Sequence, residues 1–219
     1  NTYFKDDEFK FYLGLIAITV ISLTVYLVIA NGTPVEKTFR NVAFSILSIL
    51  TSTGFATADY ELWAPFTSTF FLIMLLLGAC AGSTSGGVKM IRYQLLIKNS
   101  LVEVKRLLHP NAIVPVRHNG KAVPNEIIAK VSAFVLTYLG IFAIGSLILS
   151  TTGLDLKSSM GSVAACMANI GPGLGQTGPA GNYSEITVFG KWLLSILMLL
   201  GRLELFTVLI IFTPYFWKK

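Results

Sequence analysis

CMANIGPGLGQTG, residues 166–178, holds four glycines and no charge, and apolar runs bracket it on both sides. Each glycine in a helix interior costs about 1 kcal/mol relative to alanine, so the stretch is not a stable helix. An unpaired backbone polar group in apolar surroundings costs more, so such a break needs a purpose. What it does depends on the rest of the chain.

Of the 219 residues, 53% are hydrophobic and only 13% charged. A soluble domain has roughly a quarter of its residues charged. With a mean hydropathy of +0.69, the chain reads as an all-α polytopic membrane protein. Residues 11–30, 63–81, 131–150 and 192–212 each approach the ~20 apolar residues that cross a bilayer. The opening NTYFKDDEFK mixes acids and bases, and no small-residue cleavage site follows, so a cleaved signal peptide is not expected. There is no initiator Met, so a fragment, or the ordered part of something longer, is expected.

The net charge of +6 is scattered rather than gathered on one face, which argues against nucleic acid. Lys98, Lys105, Arg106, Arg117, Lys121 and Lys130 lie on the connection between two apolar halves, Lys5 and Lys10 precede the first span, and Lys218 and Lys219 close the chain. Positive-inside topology makes these regions cytoplasmic and puts residues 31–40, 59–61, 155–157 and 183–191 outside. The middle loop is then open to a cytoplasmic protein or to anionic membrane lipid. Cys80 and Cys166 lack metal or redox spacing and read as buried free thiols. His109 and His118, in the basic loop, read as solvated.

The same order of parts occurs twice: apolar span, polar turn, short semi-apolar segment, glycine-bearing break, second polar turn, apolar span. In the first half these are residues 11–30, NGTPVEK, 39–50, TSTGFATADYE and 63–81. In the second they are 131–150, TTGLDLK, 159–167, ANIGPGLGQTGPAGNYSE and 186–212. Gly54 and Gly171 occupy matching places. The middle segments are too short to cross a bilayer as helices, and both their flanks are assigned outside, so each is expected to be a re-entrant half-helix.

Broken backbone at membrane depth is tolerated only inside protein or along a water-filled cavity. A half-helix followed by an extended glycine-bearing stretch lays carbonyl oxygens along such a cavity, where they can replace a cation's hydration shell. Thr51, Ser52, Thr53 and Asn169 add polarity without a trapping charge. The competing reading is that the glycines only let helices approach closely.

LLGACAGSTSGGVKMIRYQ, residues 76–94, breaks the second span of the first half. It is not a phosphate loop, because Val88 separates Gly87 from Lys89 and no Ser or Thr follows the lysine. A flexible polar loop inside a span suggests a gate or constriction, with a plain kink as the alternative. Arg202 and Glu204 fall inside the last span, where charges normally face the bundle interior. An enzyme is not expected: no HExxH, nucleophile–base pair or paired intramembrane carboxylates occur. A membrane anchor or assembly scaffold without a pore is the remaining alternative.

STGFATADY (52–60), CAGSTSGGVKMIRYQ (80–94), ANIGPGLG (168–175) and the arginine of GRLE (201–204) resemble, in order and over essentially the whole chain, potassium-transport subunits of the Trk/Ktr/HKT superfamily, most closely the TrkH type. Such subunits carry four membrane helix–pore loop–membrane helix repeats around one pore; this chain resembles the C-terminal half. The resemblance implies repeats at residues 1–108, with an interrupted second helix, and 126–219, joined by a basic cytoplasmic linker at 109–125. It implies a K⁺ filter from Ser52, Thr53, Gly54, Asn169, Ile170 and Gly171, with Thr53 and Ile170 touching the ion. It also implies an intramembrane gating loop containing Ala79, Gly82, Ser83, Thr84, Ser85, Gly86 and Gly87, with Arg202 as an electrostatic barrier nearby. K⁺ would be transported, with no prosthetic group, by a multi-pass bacterial inner-membrane homodimer. The basic loop would contact a cytosolic nucleotide-binding regulatory subunit of the TrkA type, which would hold the nucleotide. Channel-like and ion-coupled (symporter) uptake, and K⁺ or Na⁺ preference, both stay open.

Overall fold

A computed structural model describes residues 3–109, 114–203, 205–211 and 214–217. Long helices α1 (Asp7–Asn31) and α5 (Asn125–Ser150) are each followed by a short one, α2 (Val35–Leu50) and α6 (Leu156–Ala168). After the two breaks come α3 (Pro65–Leu76) and α7 (Val188–Arg202). Helix α4 (Met90–Leu108) leads into a hairpin, β1 (Arg117–His118) and β2 (Lys121–Ala122), and α8 (Leu205–Ile211) and α9 (Pro214–Trp217) complete the order.

Helices α1 and α5 are long and apolar enough to cross a bilayer. The two other expected spans are not continuous. Helix α3 stops at Leu76 because Leu77 turns extended and pairs with Val88, which opens the interruption at once. Its 12 residues reach about 18 Å at 1.5 Å each, short of the ~30 Å hydrocarbon core. The span expected over 192–212 ends as α7 at Arg202, next to the charged positions. Glu204 lies outside the described residues, as do Lys218 and Lys219.

Local chemistry fixes the ends. Asp6 caps α1 by accepting from the Glu8 amide at 2.8 Å, and Asp155 caps α6 through the Ser158 amide at 3.2 Å. Hydrogen bonding to Ser158 holds the Asp155 carboxyl below its usual range. That cap is therefore intact at neutral pH and fades only as the pH falls through the lowered value. In the linker, Asn119 and Gly120 take φ of 49° and 76°, the two positive values of a type I′ hairpin turn. Buried Val116 packs the hairpin with Leu95 and Val102 of α4 and Ile128 of α5. The described part of the linker, residues 114–125, is thus packed around the hairpin, and His118 is half-buried, not solvated. Cys166 is buried as expected, but Cys80 is only half-buried.

Helix α6 is the centre of the molecule. It packs on α5, α7 and α3, and all its residues from Ser158 to Ala168 except Met160 are buried. Small residues (Ser158, Ser159, Gly161, Ser162, Ala164, Ala165) permit this, as they do wherever membrane helices approach closely. By contrast Ile18, Ile21, Val25 and Ile29 leave an uncovered apolar stripe along α1, as a bilayer allows. Ala165→Leu is expected to destabilise the complete subunit by about 1–3 kcal/mol through overpacking. Ile18→Leu on the stripe is expected to leave its unfolding temperature in detergent unchanged.

Candidate functional site

Helices α2 and α6 end in the same way. At α2 the Ser52 amide donates to the Ile49 carbonyl (3.0 Å) and the Thr53 amide to that of Ser48 (2.8 Å). At α6 the Asn169 amide donates to Cys166 (3.1 Å) and the Ile170 amide to Ala165 (3.0 Å). This is the two-bond Schellman closure, with Ser52 (φ 55°) and Asn169 (φ 54°) as the left-handed residues. Two positions later, Gly54 (φ 77°) and Gly171 (φ 115°) are again left-handed, where a side chain would be strained. The backbone thus alternates in hand over Ser52-Thr53-Gly54 and over Asn169-Ile170-Gly171.

The two triplets are neighbours. A Cβ on Gly54 would overlap the Ile170 carbonyl oxygen, and Ser52 Oγ lies 3.3 Å from the Ala168 carbonyl. Ser48 Oγ, donating to the Phe55 carbonyl at 2.6 Å, holds the first triplet back against its helix. The Tyr183 hydroxyl donates to Gly171 O at 2.7 Å. The hydroxyl of Tyr60, stacked on Phe71 at 4.1 Å, donates to Gly173 O at 2.8 Å. Glu61 accepts from the Gly175 amide (2.8 Å) and pairs with Lys157 (2.8 Å). Among the described residues, the carbonyls of Thr53 and Ile170 accept no hydrogen bond. Thr53 and Gly171 are exposed.

The interruption at residues 77–89 packs against the same helix end. Its neck is closed by Gly78 N–H to Val88 O (2.9 Å) and Met90 N–H to Ala79 O (3.1 Å). Inside it, Ser85 Oγ accepts from the Ala79 amide at 3.3 Å. A Cβ on Gly86 would come 2.6 Å from the Ala168 carbonyl oxygen, so only glycine brings the loop this close. Lys89 Nζ donates to the carbonyls of Ser83 and Ser85, both at 2.6 Å. The Arg202 guanidinium donates to the Thr84 carbonyl. Gly82 meets no neighbour, so close packing does not require it. A cavity of about 130 Å³ lies between this loop and α7, lined by Thr84, Lys89, Arg92, Tyr138 and Arg202 among others. The Arg92 guanidinium carbon sits 3.6 Å from the Phe134 ring centre.

The residues singled out in the sequence therefore converge on the C-terminus of α6: one triplet ends that helix, the other touches it, and the loop packs against Ala168 with Arg202 on its tip. Lys89, Tyr60 and Tyr183 were not expected here. Glu8 was not singled out in the sequence, yet it is buried in the first turn of α1, with its carboxylate on the loop. The acid-rich opening DDE before an apolar run was the available signal.

The family model TrkH, described as a cation transport protein, matches residues 2–219. The Trk system potassium uptake protein TrkH of Escherichia coli K12 is 37% identical over 220 residues, which is 100% of this chain and 45% of that protein. TrkI of Halomonas elongata, also named a Trk system potassium uptake protein, is 36% identical over 98% of this chain and 44% of its own length. The crystal structure of the potassium transporter TrkH from Vibrio parahaemolyticus matches with a TM-score of 0.91 at 36% identity, over 99% of this chain and 46% of that one. The chain thus spans less than half the length of these relatives.

Because left-handed φ is strained for β-branched residues, Ser52→Val is expected to lower stability by about 1–3 kcal/mol. Ser52→Gly is expected to stay near wild type. Thermal unfolding of the complete detergent-solubilised subunit checks the contrast.

Proposed function

Since the chain belongs to the TrkH family of cation transport proteins, we propose that it supplies two of the four walls of a potassium-uptake pore. The observation that carries this reading is the matched pair of helix ends, each closed by a Schellman turn and followed by backbone of alternating hand. In such backbone, successive carbonyls turn toward one side, and carbonyls without a protein partner are free to take over a cation's coordination. Ser52, Thr53 and Gly54 form one wall of the filter and Asn169, Ile170 and Gly171 the next. The Thr53 and Ile170 carbonyls touch the ion.

Residues 1–108 and 126–219 are the two repeats and 109–125 the cytoplasmic linker. Residues 77–89 form the gate, held in place through Arg202 on Thr84 and Lys89 on Ser83 and Ser85. The guanidinium beside this loop also raises the local electrostatic barrier to a cation. The complete subunit works as a homodimer with a TrkA-type nucleotide-binding partner on its cytosolic face, where the basic linker lies.

Uptake of ⁸⁶Rb⁺ into proteoliposomes of the complete subunit, with K⁺ and Na⁺ as competitors, tests the filter. Wild-type uptake should be blocked by K⁺ more than by Na⁺, and Gly171→Ser should lose that preference while still inserting. Unchanged preference would remove residues 169–171 from the filter. In the same assay Arg202→Ala should raise flux, and wild-type flux would return Arg202 to a structural role.

A further inference from the structure

Glu8 is a carboxylate only 6% exposed, in the first turn of a membrane-spanning helix. Buried charge of this kind persists where hydrogen bonds satisfy it. A single oxygen, Oε1, accepts from the Ala81 amide at 2.8 Å and from the Ile91 amide at 3.1 Å. These donors sit on opposite sides of the interruption. Ala81 lies just inside the neck closed by Gly78–Val88 and Met90–Ala79, and Ile91 lies in the first turn of α4. Helix α4 has no side-chain cap of its own, since Lys89 stands at its N-cap. Glu8 supplies the missing acceptor from another helix, where negative charge also suits the helix dipole.

The position of Glu8 is itself fixed from two directions. Asp6 Oδ1 takes the Glu8 amide at 2.8 Å. The hairpin tip clamps the next residue: Asn119 Oδ1 accepts from the Asp7 amide (2.8 Å) and the Asn119 amide donates to Asp7 Oδ2 (3.1 Å). Gln94 of α4 donates to the Asp7 carbonyl at 2.9 Å, and Lys98 Nζ bonds Asp7 Oδ2 at 3.1 Å. Among the described residues, none of these hydrogen bonds reaches residues 52–54 or 169–171.

We infer that Glu8 is a positioning residue of the gate: it pins the base of the loop at residues 77–89 to α1 and α4, while Arg202 restrains the tip. This rests on the reading of that loop as the gate. The function of Glu8 lies in the reach of one acceptor oxygen to both amides rather than in its charge. Glu8→Gln keeps reach and acceptor and loses the charge. Glu8→Asp keeps the charge and loses the reach. Glu8→Ala loses both.

Cys80, half-buried on the loop beside Ala81, reports the loop's position without reference to transport. In the complete subunit, maleimide labelling of Cys80, followed by mass spectrometry, should rise about tenfold in Glu8→Asp and Glu8→Ala, the scale of losing hydrogen bonds to a charged acceptor. It should stay at the wild-type rate in Glu8→Gln. Equal rates in Glu8→Asp and wild type, or an equal rise in Glu8→Gln and Glu8→Asp, would overturn the inference. ⁸⁶Rb⁺ uptake by the same proteins separates it from the pore reading. Faster labelling with raised, still K⁺-preferring uptake supports both. Faster labelling with unchanged uptake keeps Glu8 as the loop's anchor and removes the loop from gating.

Discussion

A helix that stops inside apolar surroundings must do something with its last amides and carbonyls, and the two left-handed turns at Ser52 and Asn169 are how this chain meets that requirement. Each turn closes its helix with two backbone hydrogen bonds, so the break leaves few unpaired groups. The chain then proceeds with Gly54 or Gly171 in a second left-handed step. The packing around α6 keeps these two short backbone segments in place.

Three kinds of contact do so. Helix α6 is wrapped on three sides and is built from residues small enough to allow it. Aromatic hydroxyls reach the carbonyls beyond the second turn, Tyr183 at Gly171 and Tyr60 at Gly173. Glycine at position 86 then lets the polar loop press against Ala168, so that the loop and the end of α6 are in direct contact. A displacement of the loop therefore has a short route to the neighbouring backbone triplets. The loop's tethers come from three places in the chain: Glu8 on α1, Lys89 at its own exit, and Arg202 at the end of α7. Their donors and acceptors are mostly backbone groups, which suits a segment of small residues with few side chains to grip.

The helical architecture was legible because its signals are periodic or compositional: apolar runs, breaks rich in glycine, and short segments between polar turns. Gly54 and Gly171 were legible for the same reason, since they stand at matching places in two similar runs, while the triplets 52–54 and 169–171 around them were implied by the family resemblance. What the sequence hid is side-chain reach across the fold. Glu8 lies in an acidic, mixed-charge opening, and nothing local reveals that residues 81 and 91 return to it. Tyr60 and Tyr183 were ordinary aromatics of outer loops until the fold brought them to glycine carbonyls. Asn119-Gly120 is a strong turn signal, but strands of only two residues each carry no alternating pattern that would announce the hairpin. The stop of α3 at Leu76 falls where residues 76–94 were expected to break the span; what the sequence did not show is that the pairing of Leu77 with Val88 ends the helix.

On the proposed function, the Thr53 and Ile170 carbonyls face a cation. Anomalous diffraction from crystals of the complete subunit grown in Rb⁺ tests this most directly, because the ion's position is seen without reliance on flux. A rubidium peak is expected in contact with both carbonyl oxygens, weakened when Na⁺ replaces Rb⁺. Rubidium peaks lying only elsewhere, with those two carbonyls turned into protein, would contradict it.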